Sequence, residues 1–396
     1  MKRTLHFPRL TLWQWIFAMI LVGGAAALYV RIFYGLGGST NLSDQFPWGL
    51  WKGFNVLTGI ALGAGGFTLA ATVHIFNIES YKPIIRSVIL TAFLGYSLMC
   101  VALFIDIGQP FRIWHPIVFW NVHSVLFEVA WCVMLYTTVL VFEFLPVICE
   151  RFGWKTTLKW VRRISVPLVI FGVVLSTLHQ SSLGSLFLIV PYKLYPLWYT
   201  PLLPVLFFIS AICAGLSVVI FMSWQSSKAF GRQLPLPLLS SMARVLAVIL
   251  SFYLAVRMLD LVRHGAVNLF WVNRRETYLF WLEIALLVVP MVLLYLRNFR
   301  SSAVKLYWAS VMVMFGFIAN RLNVSIVGLE AGSGVHYVPR WSEVMITLSL
   351  LAIAFAAFRT VAKYFPVFPA EEPVAVEQPT RAPQTAALPA PAHGSD

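Results

Sequence analysis

Charged residues are scarce in this chain. Only 11% of its 396 residues are Asp, Glu, Lys or Arg, whereas 60% are hydrophobic and the mean hydropathy is +0.81. This composition excludes an ordinary water-soluble domain. The apolar residues gather in runs of about 20, and each run can cross roughly 30 Å of hydrocarbon as a helix. We therefore predict an all-α, multi-pass membrane protein.

Cysteine is also scarce, and no two cysteines form a C-x-x-C pair. The four are scattered over apolar stretches: Cys100, Cys132, Cys149 and Cys213. This spacing argues against an iron–sulfur cluster, a zinc site or a disulfide framework in the chain. Any cluster that serves this protein is therefore expected to belong to a partner.

Ten apolar runs predict ten transmembrane helices. They begin near Trp13, Trp48, Ser87, Val122, Ser165, Tyr199, Ser241, Tyr278, Ala303 and Glu343. The first run is longer than the core of a signal peptide and no polar cleavage region follows it, so we expect a retained helix. The predicted domains are a cytoplasmic N-terminus (1–12), a transmembrane domain (13–364) and a disordered Pro/Ala-rich tail (365–396).

Basic residues favour one side of the predicted membrane. Most of the 29 Lys and Arg residues lie on the side that carries the N-terminus, which places both termini in the cytoplasm by the positive-inside rule. The net charge of +14 is thereby explained by topology and by contact with anionic lipids, without nucleic acid as a partner.

Gly, Pro and Trp recur in four loops on the opposite, outer side. These loops lie around Trp48, Trp114, Trp198 and Trp341. An interfacial belt of aromatic residues with turns explains part of the pattern. The same loops can also form a docking face for a soluble partner, and the sequence leaves both interpretations open.

Four acidic residues lie in or at the ends of predicted spans: Asp106, Glu128, Asp260 and Glu283. Ionisable groups at membrane depth are costly and therefore suggest function. The first two are 22 residues apart and the last two 23. This spacing predicts a parallel repeat of two four-helix bundles plus two extra helices, although chance placement of four residues remains the alternative.

Glu128 is the strongest single candidate for chemistry. If its helix enters near Asn121, Glu128 lies about 10 Å deep, five residues after His123 and one turn after Ser124. Its own helix supplies no cation, and such surroundings favour a protonated carboxyl group. We therefore predict that Glu128 donates protons, with Ser124 as a relay.

Further polar residues lie on other helices at related depths. Tyr96 and His179 are candidates for ligand binding, although both can be packing residues. Arg257 lies three residues before Asp260, so the two can form a structural ion pair, and Glu283 is an alternative partner for Arg257.

A row of glycines, Gly59, Gly63 and Gly66, lies on the second helix. It permits either close packing of helices or a flat ligand slot.

A carboxylate, histidines, hydroxyls and a tyrosine near the outer face can hydrogen-bond a carbonyl and deliver protons. A quinone matches these groups. Haem is not expected, because at most one pair of histidines, His123 and His179, lies at a common depth. A proton-coupled transporter can use the same acids, although it would work without an iron–sulfur partner.

Several motifs resemble, in order and spacing, the NrfD-like (polysulfide reductase membrane subunit) family, and most closely its HybB branch. They are FPWGLWKGF, GYSLMCVALFIDIGQP, NVHSVLFE, LHQSSLGSLF, KLYPLW and FWLE, and the resemblance covers roughly residues 10 to 365. That branch contains the integral membrane subunits, called b-type cytochromes, of respiratory nickel–iron hydrogenases.

The resemblance implies a quinone-reactive anchor in the bacterial inner membrane. Electrons would pass from the hydrogenase large and small subunits, through a periplasmic ferredoxin-like iron–sulfur subunit, to menaquinone or ubiquinone. The family's acidic, tyrosine, histidine and arginine positions fall on Glu128, Tyr96, His179 and Arg257. The alternative is the membrane subunit of another complex of this type, such as a sulfur or molybdenum enzyme.

Overall fold

The computed structural model describes residues 11–368. In this part of the chain, ten helices are long and apolar enough to cross a membrane, as predicted. In chain order they are α1 (Leu12–Ser39), α2 (Trp51–His74), α3 (Glu79–Asp106), α4 (Val125–Phe152), α5 (Lys155–Ser185), α6 (Leu203–Phe230), α7 (Leu236–Arg263), α8 (Arg275–Tyr295), α9 (Ala303–Ser333) and α10 (Trp341–Tyr364). The predicted N-terminus (residues 1–12) falls almost entirely outside the described residues.

The helices form two four-helix bundles and one additional pair. Helices α2 to α5 pack in sequence, and α5 returns to contact α2. Helices α6 to α9 repeat this arrangement, while α1 and α10 pack on each other and α10 lies against α3. Two bundles with two extra helices are what the sequence predicted.

The two bundles meet where Gly65 of α2 touches Gly215 of α6. A Cβ atom added to Gly215 would lie only 2.3 Å from the backbone nitrogen of Gly65. Any side chain at this crossing would therefore push the bundles apart, as is usual where small residues let membrane helices approach closely.

Three boundaries differ from the prediction. Helices α3 and α5 begin earlier than their apolar runs, because their first turns carry basic residues such as Lys82 and Lys155. The predicted tail also starts too early, since the Val367 side chain is fully buried and Arg86 donates a hydrogen bond of 2.9 Å to the Pro366 carbonyl oxygen. The rest of the predicted tail lies outside the described residues.

Candidate functional site

Glu128 lies at the end of the first bundle that the distribution of basic residues predicts to face outward, and we call this predicted side outer and the opposite side inner. Ser124 is the N-cap of α4, and its side chain accepts a hydrogen bond from the backbone N–H of Phe127 at 3.4 Å. The helix therefore begins at Val125, and Glu128 lies in its first turn, about 5 Å from the helix end. The predicted depth of 10 Å was wrong, because residues 121–124 form a turn rather than helix.

The hydroxyl partner of Glu128 is Ser182 on α5, and Ser124 acts as a helix cap. Ser182 Oγ donates to Glu128 Oε1 at 2.6 Å. Glu128 is exposed on the surface of the bundle, whereas Ser182 is buried. This hydrogen bond orients one carboxylate oxygen toward the bundle, where a bound molecule can reach the group from outside.

Tyr96 of α3 and His179 of α5 form a fully buried pair. His179 lies one helical turn before Ser182 on α5. Tyr96 Oη lies 3.4 Å from His179 Nδ1, while His179 Nε2 has no partner within the protein. The Tyr96 ring also packs edge-on against Tyr136 with 4.6 Å between centroids. Because His179 and Ser182 are three residues apart on one helix, they share a face. The structure thus brings together Glu128, Ser182, His179 and Tyr96.

Polar groups continue from this pair toward the inner side. Ser176 lies three residues before His179 on α5, and a Cβ atom added to Gly172 of the same helix would lie 3.7 Å from both the Tyr136 ring and Glu143 Oε1. Ser176 Oγ, Tyr136 Oη and Glu143 Oε2 are buried without a protein partner. Buried polar atoms of this kind are usually hydrogen-bonded to ordered water. We call Glu128, Ser182, His179, Tyr96, Ser176, Tyr136 and Glu143 the polar row.

Sequence reasoning missed Glu143. The fourth apolar run was expected to end near this residue, but α4 continues to Phe152 and carries Glu143 inside the span. The available signal was a single acid between apolar residues, in VFEF.

Glu283 is the centre of a separate network in the second bundle. Its carboxylate lies 3.0 Å from Arg257 NH2, and it accepts hydrogen bonds from Asn320 at 2.8 Å, Asn323 at 2.9 Å and Trp198 at 3.0 Å. The Glu283 side chain is fully buried. Arg257 therefore pairs with Glu283, the alternative that the sequence had left open.

Asp260, the other partner that the sequence left open for Arg257, forms its contact elsewhere. The Asp260 carboxylate lies 3.1 Å from His264 Nδ1, one turn further along α7. Arg257 reaches α8 because Tyr253 Oη accepts a hydrogen bond from its guanidinium at 3.2 Å, on the face that meets Glu283.

Arg321 completes this network from α9. Its guanidinium lies over the Phe207 ring at 3.6 Å and donates to Ser210 at 2.7 Å and to Asn320 at 2.8 Å. Both oxygens of Glu283 accept hydrogen bonds, whereas Arg257 Nε and Arg321 Nε are buried without a hydrogen-bond partner. The polar stretch ANRLN within an apolar run is the sequence signal that indicates Arg321 and its neighbours as a buried network.

The similar spacing of the two pairs of acids predicted a repeat, but Glu128 and Glu283 do not lie at equivalent positions in the two bundles. Glu128 lies in the first turn of α4, whereas Glu283 lies more than two turns into α8. The residue in the first turn of α8 is Glu276. The bundles repeat their packing, but the two acids occupy different environments.

Two remaining candidates lie apart from the polar row. The Asp106 carboxylate lies 3.3 Å from Lys52 Nζ, and Arg31 holds the end of α3 through the carbonyl oxygens of Ile105 and Ile107 at 2.7 and 2.8 Å. His123 is exposed, while His179 is buried. Asp106 and His123 therefore do not join Tyr96 and His179 in one site.

The four tryptophans of the outer loops differ in their exposure. Trp198 is buried against Glu283, and Trp48 packs edge-on against Phe187 at 5.5 Å between centroids. Trp114 and Trp341 are 49% and 51% exposed. Only the latter two remain available to a partner or to lipid.

The outer loops are held together by a buried carboxylate. Tyr337 Oη donates to Glu343 at 2.5 Å, and the N–H groups of Asn41 and Arg340 donate to the same side chain at 3.1 and 2.8 Å. Burial and the hydrogen bond to Glu343 raise the pKa of Tyr337 above its usual value, so this contact persists at physiological pH.

Ten apolar helices that enclose a buried row of titratable groups define a multi-pass membrane protein with a polar path through one bundle. The family model for polysulphide reductase, NrfD, matches residues 38–331, and the chain belongs to this family, as its motifs indicated.

Three relatives extend the comparison over almost the whole chain. A protein of Nitratidesulfovibrio vulgaris Hildenborough is 36% identical over 89% of this chain and 93% of its own length. The probable Ni/Fe-hydrogenase 2 b-type cytochrome subunit of Escherichia coli K12 is 31% identical over 89% and 92%. The integral membrane subunit of menaquinone reductase from N. vulgaris Hildenborough is 30% identical over 90% and 91%. Together with the ten helices, they identify a protein of the bacterial cytoplasmic membrane.

The name of the Escherichia coli relative raises the question of haem. Within residues 11–368, His179 is the one buried histidine, and its Nδ1 atom already faces Tyr96. A b-type haem held by two histidines needs a second histidine at the same depth, and the partner that the sequence suggested, His123, is exposed in the turn before α4. In the same range, no three His, Cys, Asp or Glu side chains can share a metal ion.

Proposed function

We propose that this chain is the membrane anchor and quinone-reactive subunit of a respiratory hydrogenase complex. It would pass electrons from a periplasmic ferredoxin-like iron–sulfur subunit to menaquinone or ubiquinone. The observation that carries this proposal is the polar row, which starts at an exposed carboxylate near the outer face and continues through buried proton-exchanging groups. The names of the hydrogenase and menaquinone reductase relatives support the same class of reaction.

Each residue of the outer part of the row has a role in this proposal. Glu128 is reachable from outside the bundle, so it can give a proton to a quinone oxygen, with Ser182 holding the carboxylate in place. His179 and Tyr96 lie one turn deeper and can return the proton to Glu128. Full reduction of a quinone consumes two electrons and two protons, so a renewable donor is required.

Proton supply from the inner side is the second element of the proposal. Ser176, Tyr136 and Glu143 extend the row toward the inner end of α4, with buried polar atoms suited to bridging water. The residues of this chain would therefore bind the quinone head and move protons to it. The electron carriers belong to the partner subunits.

Purification of the complex in a mild detergent tests this function. We expect an iron–sulfur subunit and hydrogenase large and small subunits to co-elute, and we expect the reduced-minus-oxidised spectrum of the separated chain to lack a b-type band. Co-elution with a sulfur or molybdenum enzyme would instead support the other type of NrfD complex. A chain that elutes alone and transports protons with a solute would contradict the proposal.

A further inference from the structure

A cavity of about 200 Å³ lies between the two bundles, beneath α10. Its walls come from α2, α3, α6, α9 and α10, and nearly all of the lining is apolar. Gly95 and Met99 of α3 line it, whereas Tyr96 on the same helix points to α4 and α5. The cavity, which we call the slot, therefore lies on a different face of α3 from the Tyr96 side chain. It approaches the polar row at Gly63, where an added Cβ atom would lie 3.1 Å from the Tyr96 ring.

Glycines keep the slot open. A Cβ atom added to Gly95 would have no neighbour within 4 Å, and one added to Gly59 would meet only the Phe54 carbonyl oxygen at 3.9 Å. Gly66, by contrast, packs against Ala92, where an added Cβ would lie at 2.5 Å. Gly66 is therefore a packing contact, whereas Gly59 borders open space.

Two buried polar groups in the wall of the slot have no partner. Asn55 is 9% exposed and Thr347 is 6% exposed, and neither Asn55 Nδ2 nor Thr347 Oγ1 makes a hydrogen bond within the protein. A buried donor left without a hydrogen bond destabilises the protein. A bound molecule with an acceptor oxygen at this place would remove this destabilisation.

The slot is accessible from the membrane. Leu351 and Phe355, one turn apart on α10, both line the slot and are 37% and 52% exposed. Asn55 and Thr347 lie near the outer ends of their helices, while Phe358 lines the slot closer to the inner end of α10. The polar groups are thus at one end of an elongated apolar space.

We propose that the slot binds an amphiphile in which a carbonyl oxygen is attached to a long hydrocarbon chain. Asn55 and Thr347 donate hydrogen bonds to the carbonyl oxygen, and the chain lies along Gly59, Gly63 and Gly95. An isoprenoid quinone and the acyl ester of a phospholipid share this chemistry. None of the residues that line the slot belongs to the polar row.

Native mass spectrometry of the intact complex, purified in a mild detergent, tests this site. The wild-type complex is expected to retain a bound amphiphile, and organic extraction will show whether it is quinone or phospholipid. Gly95→Leu fills the slot, so bound amphiphile should fall at least about tenfold. Thr347→Val removes one donor without changing side-chain volume and should cause a smaller loss.

Matched substitutions outside the slot serve as controls. Gly37→Leu adds a side chain where an added Cβ also has no neighbour within 4 Å, and Thr360→Val removes a hydroxyl that bonds only within α10. Both should retain the wild-type amphiphile. Equal retention in an assembled Gly95→Leu complex, or a wild-type complex with no bound amphiphile, would overturn the proposal.

Discussion

Replacing Glu128 with Gln is expected to lower hydrogen-dependent quinone reduction by roughly 10²-fold or more, the typical contribution of a positioned acid or base. The amide keeps the size of the carboxylate, and its oxygen can still accept the hydrogen bond from Ser182. It cannot exchange a proton with bound quinone. Steady-state quinol formation by the purified complex measures the effect, while dye reduction by the peripheral hydrogenase should not change.

The structure supplies a close control for this substitution. Glu276 lies in the first turn of α8, as Glu128 does in α4, so Glu276→Gln removes a similar charge from a helix N-terminus without touching the polar row. It should retain wild-type quinone reduction. If an assembled Glu128→Gln complex also reduced quinone at the wild-type rate, Glu128 would be structural.

Replacing Glu283 with Ala is expected to destabilise the second bundle by about 3–5 kcal/mol. The carboxylate is fully buried and neutralises Arg257, with Arg321 nearby in the same network. Its removal leaves buried guanidinium charge without a counterion and frees the amides of Asn320 and Asn323. The amount of folded subunit and its thermal stability in detergent should both fall sharply.

Two further variants separate charge from packing. Leu282→Ala, at the neighbouring and 53% exposed position, should have little effect on stability. Glu283→Leu combined with Arg257→Leu removes both charges and should recover part of the loss. Wild-type stability of Glu283→Ala would show that the network does not stabilise the bundle.

The number and packing of the helices followed from the sequence because lipid leaves few alternatives. Every backbone polar group in hydrocarbon must be satisfied, so long apolar runs become helices. Helix ends were less predictable. An apolar run indicates the part of a helix that lies in lipid. Helices α3 and α5 begin before their apolar runs, in turns that carry Lys82 and Lys155.

The candidate site was only partly predictable, because sequence spacing does not show which face a residue occupies. The link between Tyr96 and His179 spans two helices, and the hydroxyl that meets Glu128 comes from Ser182 on α5 rather than from its neighbour Ser124. Arg257 pairs with Glu283 of α8 and not with Asp260 of its own helix, which sequence spacing also did not show. Such pairings depend on how helices rotate against one another, which single apolar runs do not record.

In the proposed function, quinone reacts beside Glu128. A photoreactive quinone analogue, added to the active complex and mapped by peptide mass spectrometry, tests it most directly. We expect labelling of α4 near Glu128 and of α5 near Ser182, displaced by excess unlabelled quinone. Labelling of an active complex only elsewhere, for example in the second bundle around Glu283, would contradict a quinone site beside Glu128.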